Sequence, residues 1–138
     1  MASKRKSSKR SDRSRSAATR ADSAAQHAVP IDLRPIAPLI ERIVARLEPE
    51  EIWLFGSRAE GRARPDSDYD LLAVLPDNTP ESALDLIKAW ELTCGLGVPA
   101  DLVPCTRSDF EDEKDEVGTL ARAAYHRGKR IYERQRRS

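Results

Sequence analysis

Three acids, Asp66, Asp68 and Asp70, fall within five consecutive positions directly ahead of the apolar run 71–75. Carboxylates repel one another, and the mouth of a strand entering a core is a costly place to collect them. In an extended segment, residues two apart share a face, so Asp68 and Asp70 converge while Tyr69 points away. At about 6–7 Å, the spacing of such a pair, two ionised carboxylates invite a hard divalent cation, which turns repulsion into coordination.

The surrounding segment, "EIWLFGSRAEGRARPDSDYDLLAVL", reads as two strands with punctuation between them. "EIWLF" is a short apolar strand stopped by Gly56. Ser57 and Glu60 form an S-x-x-E capping box, which predicts a short helix starting at the serine and ending at Gly61. "GRARPDS" is a loop. "YDLLAVL" is apolar on both faces after Asp70 and belongs at the centre of a sheet.

Periodicity places the other elements. Ile36, Leu39, Ile40, Ile43, Val44 and Leu47 recur every three or four residues, the stripe of an amphipathic helix. Pro35 and Pro38 sit in its first turns, where missing amide donors cost little, and Pro49 follows its end. Thr79 is expected to cap a helix with Pro80 in first position and Leu84, Ile87 and Trp90 on its inner face. "VPADLVP" is a third strand. Ser108 and Glu111 make a second capping box, opening an acidic, exposed helix. Val117, Leu120, Ala121 and Ala124 form the last apolar stripe, Gly128 ends it, and "RIYE" is a short edge strand. The order α-β-α-β-α-β-α-α-β predicts an α/β domain, a small mixed sheet flanked by helices.

Composition narrows the class. The 138 residues suit one domain of modest core; 34% are charged and 5% aromatic. No apolar run approaches the roughly 18 residues of a membrane span. The basic N-terminus has no apolar segment behind it and is not expected to be a secretory signal. Cys94 and Cys105 make neither a disulfide framework nor a zinc cluster and are expected to be buried or half-buried thiols, which points to the reducing cytoplasm.

Residues 1–28 hold eight Lys/Arg against two Asp, and residues 127–138 six against one Glu. The body, 29–126, holds ten basic and twenty acidic residues. An acidic body between basic ends is not the footprint of a domain that lies along nucleic acid. Residues 1–28, without an apolar side chain larger than Ala after Met1, are expected to be a disordered basic tail, with any nucleic-acid contact through it peripheral. The folded domain is expected over 29–138.

Topology can gather the acids. The Gly56-Ser57 turn and the Asp68/Asp70 pair become neighbours only if the first two strands run antiparallel. A crossover helix then lets the third strand lie parallel to the second, with Asp101 beside the pair. Three carboxylates would face a Gly-Ser turn and a helix start able to receive phosphate. Carboxylates, divalent metal and phosphate together specify metal-assisted phosphoryl chemistry. An EF-hand is excluded, because Leu71 stands where its glycine belongs and Asp77 where its final glutamate belongs. The D-x-D of nucleotide-sugar glycosyltransferases, and acids that merely cap a turn facing water, remain alternatives at this point.

"GSRAEGRARPDSDYDLLAVL" closely resembles the G-S-x-A-x-G…S-D-x-D signature of the minimal nucleotidyltransferases, within the DNA polymerase beta-like superfamily. The resemblance extends from about residue 33 to 134, including "GTLARAAYHRGKRIYER". It implies that Gly56 and Ser57 hold a nucleoside triphosphate, ATP being the expected substrate. It implies that Asp68 and Asp70 bind two Mg²⁺ ions, and that Asp101 shares the ion activating an attacking hydroxyl. A nucleoside monophosphate would be transferred and pyrophosphate released.

The family often has a basic residue where Glu60 stands, although Arg58, Arg62 and Arg64 are close by. Small members of the family commonly act as antitoxins beside HEPN-domain ribonuclease toxins, some by adenylylation, so a HEPN-type partner and a hydroxyl on a macromolecular acceptor are implied. The alternative is a non-catalytic subunit that neutralises its partner by association. His27 and His126 are expected to be surface residues, Trp53, Trp90 and Tyr69 core residues, and "DFEDEKDE" a solvated face.

Overall fold

The computed structural model describes residues 31–135. The expected tail, residues 1–28, and with it His27, lies outside them. Helix α1, Ala37–Leu47, is led in by a 3₁₀ turn at Arg34–Ile36. Then come β1, Glu51–Phe55; the one-turn α2, Ser57–Glu60; and β2, Tyr69–Leu75. A 3₁₀ turn, Glu81–Leu84, precedes α3, Leu86–Thr93. The chain closes with β3, Ala100–Thr106; α4, Arg107–Glu113; α5, Leu120–Arg127; and β4, Lys129–Glu133. This is the expected order.

The sheet runs β3-β2-β1-β4. β1 is antiparallel to both neighbours, and β2 is parallel to β3 through the α3 crossover. Alternate residues divide two cores. Ile52, Leu54, Leu71, Ala73 and Leu75 pack against Leu39 and Ile43 of α1 and Ala89 and Leu92 of α3. Trp53, Leu72 and Val74 pack on the other face against Phe110 of α4 and Ala121 and Ala124 of α5. Each large apolar side chain so withdrawn from water contributes about 1.5–3 kcal/mol. The central strands are covered on both sides, which is why β2 reads as an unbroken apolar run.

Several local expectations are corrected. The α2 helix starts at Ser57 with Gly56 as its N-cap, and no side chain caps it, so the Ser57–Glu60 box is not made. The 80–93 segment breaks at Asp85, whose carboxylate, not Thr79, caps α3 by accepting from the amides of Ile87 (2.7 Å) and Lys88 (3.4 Å). That break resets the helical phase. Ala89, Leu92 and Thr93 turn inward, while Leu86, Ile87 and Trp90 are exposed.

β3 begins two residues later than expected, after turns in which Gly95 and Gly97 take positive φ. Thr106, not Ser108, caps α4, and Ser108 instead donates to Asp77 (Oγ 2.6 Å, amide 2.8 Å). These bonds hold the Asp77 carboxyl below its usual range. Val117 lies outside α5, which starts at Leu120 under a Thr119 cap.

Phe110 anchors the acidic α4 in the core, while most of the surrounding acids stay in water. Cys94 is exposed rather than buried, and burial pushes the half-buried Cys105 thiol up to about 12, an unreactive thiol. Trp53 and Tyr69 are core residues as expected, and His126 is on the surface, 2.6 Å from Asp115. Among the described residues, no helix is long and apolar enough to cross a membrane.

Candidate active site

Gly56 closes β1 with φ at +78°, a conformation that L side chains rarely adopt. The chain needs glycine here for a second reason. A Cβ on Gly56 would overlap the Asp70 carboxylate, which packs directly against it. The antiparallel register, Phe55 opposite Asp70, creates this approach. The parallel register then sets Asp70 beside Asp101, about 4.8 Å away, the separation of adjacent strands. Both belong to the strand face that carries Val103, Leu72 and Val74 toward α4 and α5.

Asp70 is half-buried, and its pKa is raised, first by desolvation and then by the charges of Asp101 and Asp68. Asp68 and Asp101 are exposed. The three acids expected to converge therefore interact electrostatically. Among the described residues, however, no three acidic, His or Cys side chains form a ready-made cage for one ion. As donors they suit a hard divalent cation, whose charge would relieve the repulsion Asp70 suffers.

The loop ahead of the acids is stapled by Arg58. Its guanidinium donates to the carbonyls of Ser67 (2.9 and 3.2 Å) and Pro65 (3.2 Å) and lies 4.4 Å from the centre of the Tyr69 ring. Tyr69 in turn donates its amide to the Pro99 carbonyl at 3.0 Å, tying the start of β2 to the start of β3. Arg58 thus orients the acid-bearing segment, a role its sequence position did not signal. Arg62 pairs with Glu60 at 3.4 Å on the surface.

Beside the acids lies a cleft of about 370 Å³. Asp70 and Asp101 stand in its wall with Phe55, Leu86, Trp90 and Leu120. Sequence reasoning missed these apolar members because it placed Trp90 in the core. Asp85, an acid immediately before "LIKAWEL", was the available signal that the helix restarts there.

The nucleotidyltransferase domain family model matches residues 36–131, and the chain belongs to that family. Domains of this family generally work on a nucleoside triphosphate with a divalent metal. A solved structure from Sulfolobus solfataricus, described as a candidate nucleotidyltransferase, is similar in fold, with a TM-score of 0.50 and 18% identity. The similarity covers 74% of this chain and 80% of that one. No curated protein matches the chain.

Proposed function

We propose that the chain is a divalent-metal-dependent nucleotidyltransferase that moves a nucleoside monophosphate, AMP from ATP, onto a hydroxyl of a macromolecular acceptor. The observation that carries the reading is the register that pairs Asp70 with Asp101 while packing Asp70 against Gly56. A scaffold gains nothing from holding like charges together, half out of water and beside a turn closed to side chains.

Asp68, Asp70 and Asp101 are the residues that would hold Mg²⁺. When bound, the metal supplies charge stabilisation for the entering and leaving oxygens of the displacement. Gly56 and Ser57 hold the triphosphate end. Gly56 presents no side chain, its bare side facing the Asp70 carboxylate, and the Ser57 hydroxyl is not spent on capping α2. Arg58 keeps Asp68 and Asp70 aimed at the site by fixing the loop before them. The acceptor oxygen bonds to the α-phosphorus, the bond from that phosphorus to the bridging oxygen breaks, and pyrophosphate departs with the electron pair. The acceptor proton passes to water at the open site.

The resemblance to minimal nucleotidyltransferases supports a HEPN-domain ribonuclease toxin as the acceptor and an antitoxin role, in the cytoplasm. The test combines the purified full chain, Mg²⁺ and α-labelled ATP with a HEPN protein encoded beside it. Label on the partner, lost with Asp101→Asn while the two proteins still associate, is the expected result. Equal neutralisation of the toxin by wild type and Asp101→Asn, with none of the four triphosphates transferred, would establish a binding subunit instead.

A further inference from the structure

Helix α3 is apolar on two sides. Ala89, Leu92 and Thr93 pack inward, while Leu86, Ile87 and Trp90 leave 61%, 68% and 60% of their surfaces exposed. Trp90 follows Ile87 and Leu86 by three and four positions, so the outer three form one patch rather than scattered contacts. A helix that is apolar all round belongs between two covers. The sheet and α1 supply one of them.

The rest of this sequence does not supply the other. Residues 1–30 carry no apolar side chain larger than Ala except Met1, Val29 and Pro30, and residues 136–138 carry none. The second cover therefore comes from another chain, and the charges beside the patch describe it. Lys88 and Glu91 are both exposed, and neither forms an ion pair among the described residues. Helical spacing puts both on the flank of Ile87 that faces away from the cleft, which none of the three lines.

A flank of one sign would repel itself across a two-fold axis. One Lys and one Glu placed evenly about such an axis attract twice. With the axis crossing α3 between residues 89 and 90, the helix meets its copy antiparallel. Lys88 then faces Glu91 of the partner subunit, and Glu91 faces the partner's Lys88. The two Trp90 rings meet near the axis, with Ile87 packed to either side.

We propose that the outer face of α3 pairs with the same face of a second copy of this chain, antiparallel across a two-fold axis. The inference goes beyond the nucleotidyl-transfer reading and does not depend on it. A contact built on one eight-residue helix falls short of the roughly 800 Å² per partner of stable interfaces, so this dimer is weak and reversible.

Sedimentation of the full chain over a wide concentration range tests it. The mass is expected to rise from one chain toward two and stop there, while indole emission shifts to the blue. Trp53 is already buried, so that shift reports Trp90. Ile87→Glu, at an exposed position, is expected to keep the melting temperature of the monomer and weaken the dimer about a hundredfold. Lys88→Glu is expected to weaken it about tenfold, and adding Glu91→Lys to restore the wild-type association.

A single-chain mass at every concentration would overturn the inference. So would a dimer indifferent to Ile87→Glu, which uses another face, or an assembly that grows past two chains. Failure of the double exchange to rescue Lys88→Glu would overturn the antiparallel pairing. A monomeric chain that needs Ile87 to bind a different protein would assign the face to that protein instead.

Discussion

Glu51 and Asp70 project from neighbouring strands of one sheet, Glu51 at the end where β1 begins and Asp70 at the end where β2 begins. Glu51 is 8% exposed and fully engaged. Its carboxylate lies 3.3 Å from Arg107 and 3.3 Å from Arg130 and accepts from the Trp53 indole at 2.9 Å. Glu50 and Glu111 complete the network around Arg107, at 2.9 and 3.1 Å. Burial works against the Arg107 charge, but its bonds to Glu50 and Glu51 hold its pKa above the ordinary value. Asp70 has the reverse surroundings, burial and two further carboxylates. One fold therefore satisfies the buried Glu51 with arginine at one end and leaves the half-buried Asp70 beside like charges at the other. Glu51 has the surroundings of an acid that supports the fold, and on the function proposed above the like-charged neighbours of Asp70 suit an acid that meets a metal ion.

The sharpest way to break the comparison is to neutralise each end in turn. Asp70→Asn is expected to lower nucleotidyl transfer about a thousandfold or more, as loss of a central electrostatic group does. The same change should raise the melting temperature in metal-free buffer, because it removes a repelled charge. Calorimetry beside a labelled-transfer assay checks both, and a fall in stability would mean that Asp70 has a structural partner after all.

At the opposite end, Glu51→Ala should cost about 1–3 kcal/mol of folding stability, because it leaves the buried Trp53 indole donor unpaired. It also removes one carboxylate each from Arg107, which keeps Glu50 and Glu111, and from Arg130, which keeps Glu133. Urea denaturation measures it. Metal-dependent triphosphate binding per folded molecule should be unchanged.

Arg58→Ala probes the join between scaffold and site. Freeing the loop before β2 should raise the Mg²⁺ concentration for half-maximal transfer about tenfold, a loss of about 1.4 kcal/mol in positioning. Arg58→Lys should recover only part of it, since one ammonium cannot span the Ser67 and Pro65 carbonyls as the planar fork does. A change in stability with no change in metal requirement would make Arg58 a purely structural residue.

The smallest effect expected is at Asp77. A depressed folded-state pKa gives stability that is present above the unfolded value, near 3.8, and lost as pH falls through the lower folded value. Asp77→Ala should melt slightly below wild type at neutral pH, and the gap should begin to narrow below about pH 4 and close only once the pH is below the lowered folded value. A gap that persists in acid would assign the effect to something other than the carboxylate charge.

Local sequence was a good guide wherever one interaction range sufficed. The limits of β1 and β2 came directly from the apolar runs "EIWLF" and "YDLLAVL", the first stopped by Gly56 and the second opened by the acids. Asp70 takes the strand face that alternation assigns it, whereas Asp68 lies one residue before β2; the antiparallel-then-parallel arrangement was legible from the Gly-Ser turn and the crossover helix. What failed was phase and partnership. The stripe Leu84, Ile87, Trp90 was plausible for an unbroken helix, but the Asp85 cap inserts an extended residue and rotates everything after it. Ser57 and Ser108 each stood three residues before a glutamate, yet neither box forms, because Gly56 and Thr106 start those helices one or two residues earlier.

The chain alone determined the element order, the covered sheet and the presence of Asp68, Asp70 and Asp101 near one end of it, since periods of two and three to four residues are written locally. Only the tertiary structure decided that Asp101 stands in register with Asp70, that Gly56 closes on the same carboxylate, and that Glu51 is answered by Arg107 and Arg130. It alone put Trp90 and Leu120, thirty positions apart, around one cleft. Those relations join residues brought together by strand pairing and packing, and no local pattern can encode which distant side chain will neutralise a charge or leave it bare.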